Sequence, residues 1–288
     1  MTNSSRNIGI AVLINLAFTI IEIIGGLWTN SLAILSDALH DFGDTLILGS
    51  SWFLEKQSNK GPDFKRTFGY KRLSLFSATL SGLILVAGSL YILSQAIPRL
   101  LNPQDVNALG MIGFAVIGIV FNGFALWRLH GGHDLNSKII SWHFVEDVIG
   151  WVIILIGAII TYFVNLPIID PIITIIFTTV ILIGVAKNLK EAFNLLMQGI
   201  PDGLSLNAIK KNISKVKGVI DSHDLHIWSL DGHSHILTAH VIVNKAALEN
   251  SDKTRKKIKN ELKMQGITHS TIELESKKFC SGIECKTN

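Results

Sequence analysis

The sequence predicts a polytopic α-helical membrane protein with six transmembrane helices. A small cytoplasmic α+β domain of ferredoxin-like, metallochaperone-like kind is expected to follow. Three observations lead there. The chain is 48% hydrophobic and only 17% charged, a balance that fits the membrane class better than a soluble one. Six apolar stretches reach the about 20 residues that a helix needs to cross a bilayer. After about Ile200 the chain becomes polar and lysine-rich, with "IPDGL" breaking the apolar pattern.

The predicted spans run roughly Ile8–Leu27, Leu32–Leu54, Leu73–Ile97, Ala108–Trp127, Ile139–Val164 and Ile168–Lys187. The leading "MTNSSRNIG" is too short and too weakly charged for the n-region of a cleavable signal, so the first apolar run is expected to be a retained span. The loop after span two carries Lys56, Lys60, Lys65, Arg66, Lys71 and Arg72, and the loop after span four carries Arg128 and Lys138. The opposite loops hold little beyond Arg99. Positive charge marks the cytoplasmic side, so both termini are expected there, in a plasma or inner membrane. No Lys/Arg patch interleaved with aromatics suggests nucleic acid.

Residues 1–199 are therefore expected to form a transport domain and 200–288 a regulatory or dimerising one. In the tail, "LSLNAIKKNISKVKGV" and "ALENSDKTRKKIKNELKMQ" have helical character. "DLHIWSL", "HILTAHVIV" and "HSTIELES" read as strands, the first two joined by the turn "DGHS". Strands in a row with helices on one face make an α+β sandwich. Such a domain is too small for a complex enzyme.

The stretch "SDALHDFGDT" places Asp37, His40, Asp41 and Asp44 inside span two. At 100° per residue these four fall within an arc of roughly 100°. Each ionised group costs about 2.5–3.5 kcal/mol at the bilayer centre, so the stripe should face a cavity or bind something. His40 and Asp44 stand one turn apart and can converge on one cation. Span five repeats the spacing with His143 and Asp147 in "SWHFVEDVIGW". A single such pair is also what an interhelical clamp looks like; two, in separate spans, point to a metal. Two nitrogens and two oxygens suit tetrahedral Zn²⁺. They lack the oxygen-only shell of Mg²⁺ or Ca²⁺ and the thiolates that favour Cu(I). Asp37 can line an exit path. Asp41 and Glu146 can cap, pair with a neighbour or join the cavity. Glu22, on one face of span one with Asn15 and Thr19, is either an interhelical contact or part of a proton or water path. Asn122 in span four reads as packing glue.

In "SLAILSDALHDFGD", "FGYKR", "HFVEDVIGW", "IIDPIIT", "LLMQGIP", "HDLHIWSL", "LTAHV" and "TIELES", in that order, nearly the whole chain resembles the cation diffusion facilitators. The resemblance implies a homodimeric secondary transporter that exports a divalent cation, usually Zn²⁺, from the cytoplasm in exchange for protons. It places the transport site on His40, Asp44, His143 and Asp147, with a histidine at position 40 leaning toward zinc. In the tail it implies a regulatory metal site on His223, His240 and Glu275, joined by His269 or His226. Regular alternation would put His226 on the face opposite His223. Cys280 and Cys285, with four residues between them in "CSGIEC", are spaced more widely than a zinc knuckle and read as a loose clamp. Two departures stand out: Leu73 and Ser74 follow "GYKR" where relatives carry Ala-Glu, and the loop "RLHGGHDLNSK" holds only His130 and His133. Two other functions remain open from sequence. One is a metal-gated channel or zinc sensor; the other is a membrane-embedded zinc hydrolase, for which no His-Glu-x-x-His motif occurs.

Overall fold

Long apolar runs become long helices. A computed structural model describes residues 3–58, 61–129 and 135–277; the side chains of 3–11, 48, 51–58, 128–129 and 135–143 lie outside the described set. The first six elements are α1 (Asn3–Thr29), α2 (Leu32–Ser58), α3 (Leu73–Leu101), α4 (Ala108–Leu129), α5 (Leu135–Val164) and α6 (Ile169–Leu196). Most extend past the apolar stretch that predicts them, because backbone hydrogen bonding carries a helix on into its polar flanks. Among the described residues, five of the six are long and apolar enough to cross a membrane, and α2 is not one of them. Asp37, Asp41 and Asp44 lie within this helix of 27 residues.

The chain forms two compact units, residues 1–56 with 80–189 and residues 57–79 with 190–288. In the first, Phe18 of α1 stacks on Phe121 of α4 with centroids 4.2 Å apart and meets Trp151 of α5 edge-on at 6.3 Å. Ile34 of α2, Met111 and Ala115 of α4, Ile154 and Ala158 of α5, and Ile173 of α6 complete this core. The outer surface is also apolar, with Leu27, Leu83, Val120, Phe163 and Val180 all exposed. An apolar exterior of this extent is suited to lipid rather than water.

Two glycines permit the close approaches that shape the polar interior. A Cβ at Gly43 would lie 2.7 Å from the Leu85 side chain, so α3 packs on α2 directly beside Asp44. A Cβ at Gly118 would lie 2.2 Å from the Trp151 ring. Here α4 presses against α5 one turn beyond Asp147.

The second unit holds α7 (Leu206–Ser214), β1 (Val219–Ser229), β2 (His235–Val243), α8 (Lys245–Glu249), α9 (Ser251–Met264) and β3 (Ile267–Glu275). The sheet order is β1-β2-β3, with β1 and β2 antiparallel and β2 and β3 parallel. The parallel pair needs a crossover, which α8 and α9 supply. Ile209 and Ile213 of α7 and Ile258 and Leu262 of α9 bury against Leu237, Ala239 and Val241 of the central strand.

The β1–β2 turn is built by Asp231, whose carboxylate accepts from the His233 amide at 2.9 Å, the Ser234 amide at 2.5 Å and the Ser234 hydroxyl at 3.0 Å. Burial pushes this carboxyl up. The three donors outweigh it and hold the pKa below its ordinary value.

Gly118→Ala is predicted to overpack the α4–α5 contact and destabilise the first unit by about 1–3 kcal/mol. A lowered melting temperature of the detergent-solubilised protein would register it.

Candidate functional site

Three helices bring ionisable side chains together in the first unit. On α2, the i, i+4 spacing sets His40 Nε2 3.6 Å from Asp44 Oδ2. From α5, Asp147 Oδ1 reaches within 4.0 Å of the same His40 nitrogen. Asp147 is buried, whereas the His40 side chain keeps 35% of its surface open. The imidazole is therefore partly open and the carboxylate enclosed. His143 sits on α5 one turn before Asp147, and its side chain lies outside the described residues.

The remaining polar groups of this interior arrange themselves around the same stripe. Asp37 and Asp41 are buried, and Glu22 is only 1% exposed. Asp37 faces α5, where a Cβ at Gly150 would stand 3.6 Å from its Oδ1. Glu22 of α1 and Asp41 of α2 are close enough for their charges to act on one another. Neither Glu22 oxygen meets a hydrogen-bond donor among the described residues. Glu146 of α5 is exposed. Asn15 of α1 donates to the Asp41 carbonyl at 3.1 Å and to Thr45 Oγ1 at 2.9 Å, and so fixes α1 against α2 beside the stripe. Asn122 donates to the Gly118 carbonyl of its own helix at 3.2 Å.

Two ties on α2 escape a reading by spacing alone. Ser36 Oγ and Thr178 Oγ1 of α6 are 2.9 Å apart. The Asp170 carboxylate of α6 takes hydrogen bonds from the start of α2. The available signal for Asp170 was a lone carboxylate opening an otherwise apolar run in "IIDPIIT". Such a group must find donors to be buried.

The second unit carries a tighter cluster. Strand pairing sets His223 opposite His240, and β3 brings Glu275 alongside. Glu275 Oε1 lies 2.7 Å from His240 Nδ1, and Oε2 lies 3.5 Å from His223 Nε2. One ligand atom from each of the three falls within 4.8 Å of the others. His223 and Glu275 are buried, and His240 is partly open. Two imidazoles and a carboxylate at this separation can hold one dication, with room for a fourth ligand.

The strand is not regular at this point, so the alternation expected from sequence does not hold. Asp224 adopts φ 49, and β1 gains one residue on β2 between His223 and His226. This bulge returns His226 to the same face as His223. His226 nevertheless stays outside the three-residue cluster: its side chain is 61% exposed and pairs with Asp224 at 2.9 Å. Asp224 also stands 3.6 Å from His240 Nε2, a neighbour the sequence did not suggest. His269 is exposed and meets the Phe68 ring edge-on at 5.7 Å. Cys280, Cys285, His130 and His133 lie outside the described residues.

Comparison with known proteins agrees with both units. Residues 8–197 match the model of the cation efflux transmembrane domain, and residues 201–277 match that of the cation efflux protein cytoplasmic domain. The chain is 34% identical over 264 residues to the cadmium, cobalt and zinc/H(+)-K(+) antiporter of Bacillus subtilis, covering 90% of this chain and 85% of that one. It is 34% identical over 275 residues to the metal cation efflux system protein CzcD of Cupriavidus metallidurans, covering 94% and 87%. It is 29% identical over 291 residues to the zinc transporter ZitB of Escherichia coli, covering 99% and 92%. With both family models matched in order along one chain, this protein belongs to the cation diffusion facilitator family of metal cation efflux transporters.

Proposed function

We propose that the protein is a secondary active transporter that exports a divalent cation, Zn²⁺ foremost, from the cytoplasm in exchange for protons by alternating access. It works as a homodimer of six-span subunits, with α2 as the sixth span and both termini in the cytoplasm of a plasma or inner membrane. Residues 1–199 form the transport domain. Residues 200–288 form a ferredoxin-like regulatory and dimerising domain.

One observation carries the proposal: His40, Asp44 and Asp147 meet at 3.6 and 4.0 Å in the interior of the helical unit. His143, a turn before Asp147, supplies the fourth ligand. A set of two nitrogens and two oxygens matches the preference of Zn²⁺ for tetrahedral mixed ligation. The relatives support the cation class, since their names specify zinc, cadmium and cobalt. One of those names also specifies H(+), which supports proton exchange.

The chemistry couples the two ions directly. Imidazole and carboxylate bind metal only after losing their protons, so loading the cation releases protons and reprotonation releases the cation. Histidine titrates near 6.5 in the absence of perturbation, so a modest pH difference across the membrane changes its occupancy. Helix rearrangement then needs only to expose the same four groups alternately to the two sides.

The cluster of His223, His240 and Glu275 binds the same metal as a regulator, and its three donors support that role. Binding there ties three strands together and favours the dimeric form when the metal is abundant.

His40→Ala and Asp147→Ala are each predicted to abolish zinc uptake into vesicles that hold the reconstituted protein and an internal fluorescent zinc reporter. Membrane insertion should persist in both. Uptake at the wild-type rate in either variant would refute the transport site, and uptake indifferent to a pH gradient would refute proton exchange. Glu275→Ala should weaken zinc binding at the sheet by at least about tenfold, since even outer-shell partners of a metal cost that much. Equilibrium dialysis of the purified protein against its His40→Ala counterpart separates the two sites.

A further inference from the structure

Asp170 takes no part in the proposed transport chemistry, yet it is 1% exposed and sits where α2 begins. Its carboxylate accepts from Ser31 Oγ at 2.5 Å, from the Leu32 amide at 2.9 Å and from the Ala33 amide at 3.3 Å. Ser31 Oγ in turn accepts from the Ile34 amide at 3.2 Å. The first amides of a helix have no partner within it, and they are normally satisfied by its own cap residue or by water. In α2 much of that demand is met by a carboxylate on another helix, and the helix dipole favours its negative charge there.

The turn before α2 is held as firmly. Arg99, near the end of α3, donates to the carbonyl and to Oδ1 of Asn30, both at 2.9 Å. Asn30 Nδ2 donates to the Asp105 carbonyl at 2.9 Å, and the Asn107 amide donates to the Thr29 carbonyl at 2.9 Å.

We propose that Asp170 is a positioning residue for the transported cation: by anchoring the start of α2 to α6 it sets the height and rotation at which His40 and Asp44 meet Asp147. The inference rests on the transport site proposed above. An α-helix rises 1.5 Å and turns 100° per residue, so His40 and Asp44 lie about 12 and 18 Å down a stiff rod from Leu32. Three donors from three successive residues fix that rod in both coordinates. A shift of α2 by one residue would carry both ligands out of line with Asp147. Metal–ligand distances tolerate only about 0.2 Å.

The test measures zinc uptake against zinc concentration in vesicles holding full-length wild type, Asp170→Asn, Ser31→Ala or His40→Ala, with rates normalised to folded protein from size-exclusion chromatography. Asp170→Asn keeps the volume but turns an amide toward donors. Its apparent KM for zinc is expected to rise about 10- to 100-fold, the range for losing a group that orients a metal ligand. Vmax per folded molecule should change far less. Ser31→Ala removes one of the three donors and should raise KM about fivefold.

A KM equal to wild type in Asp170→Asn overturns the inference. So does a loss confined to folded yield or Vmax, which is what a merely structural role would give. If Asp170→Asn does not insert, Ser31→Ala decides: a raised KM supports the assignment and an unchanged one overturns it. His40→Ala separates this inference from its premise. Uptake by His40→Ala at the wild-type rate defeats the transport site itself. Its absence together with a normal KM in Asp170→Asn defeats only the positioning role.

Discussion

An ionised side chain in the apolar middle of a bilayer costs several times the thermal energy, and it persists only where cavity, partner or ligand offsets that cost. The helical unit gathers Glu22, Asp37, Asp41, Asp44 and Asp147 close enough for the carboxyl groups to act on one another, with His40 beside Asp44 and Asp147. Much of the unit's architecture follows from that concentration. The polar faces of α1, α2 and α5 turn inward while Leu27, Val120 and Phe163 turn outward. Asn15 supplies hydrogen bonds to α2 beside the stripe, and Gly43 lets α3 close over it. Asp37 and Asp41 of α2 are buried by its neighbours. A dication is the natural counter-charge for such a nest, because it neutralises several carboxylates at once.

The two nitrogen–oxygen centres differ in ways that suit different tasks. In the sheet, Glu275 bridges His223 and His240 at 3.5 and 2.7 Å on a framework held by strand pairing. That cluster is compact and held on a backbone ladder, which suits the regulatory role proposed for it. In the bundle, His40 stands 3.6 and 4.0 Å from its carboxylates and remains partly open. The ligands proposed there come from separate helices, so a relative movement of those helices would assemble or break the set. A carrier must release what it binds, and a looser centre shared between helices would serve the transport role proposed for it.

The sequence made the helices and the stripe legible because both depend on local spacing. Apolar runs of bilayer length gave α1 to α6, and i, i+4 separation placed His40 with Asp44. The contact of His40 with Asp147 was suggested by the same spacing recurring in a second span and by the family resemblance. What stayed hidden depends on pairing across distant segments. Ser31 and Asp170 are 139 residues apart, and neither carries a local signal that names the other. The bulge at Asp224 was hidden for a different reason. Aspartate tolerates a left-handed backbone but does not require it, so "HDLHIW" looks like an ordinary strand.

The central claim is a four-ligand grip on one dication among the helices, and X-ray absorption at the zinc edge tests it most directly. The sample is the full-length protein carrying Glu275→Ala, loaded with zinc, so that the sheet no longer retains the metal. The account predicts four nitrogen and oxygen neighbours at about 2.0–2.2 Å with the multiple scattering of two imidazole rings. A six-coordinate oxygen shell without imidazole signal, or no zinc retained by the helical unit, would contradict it.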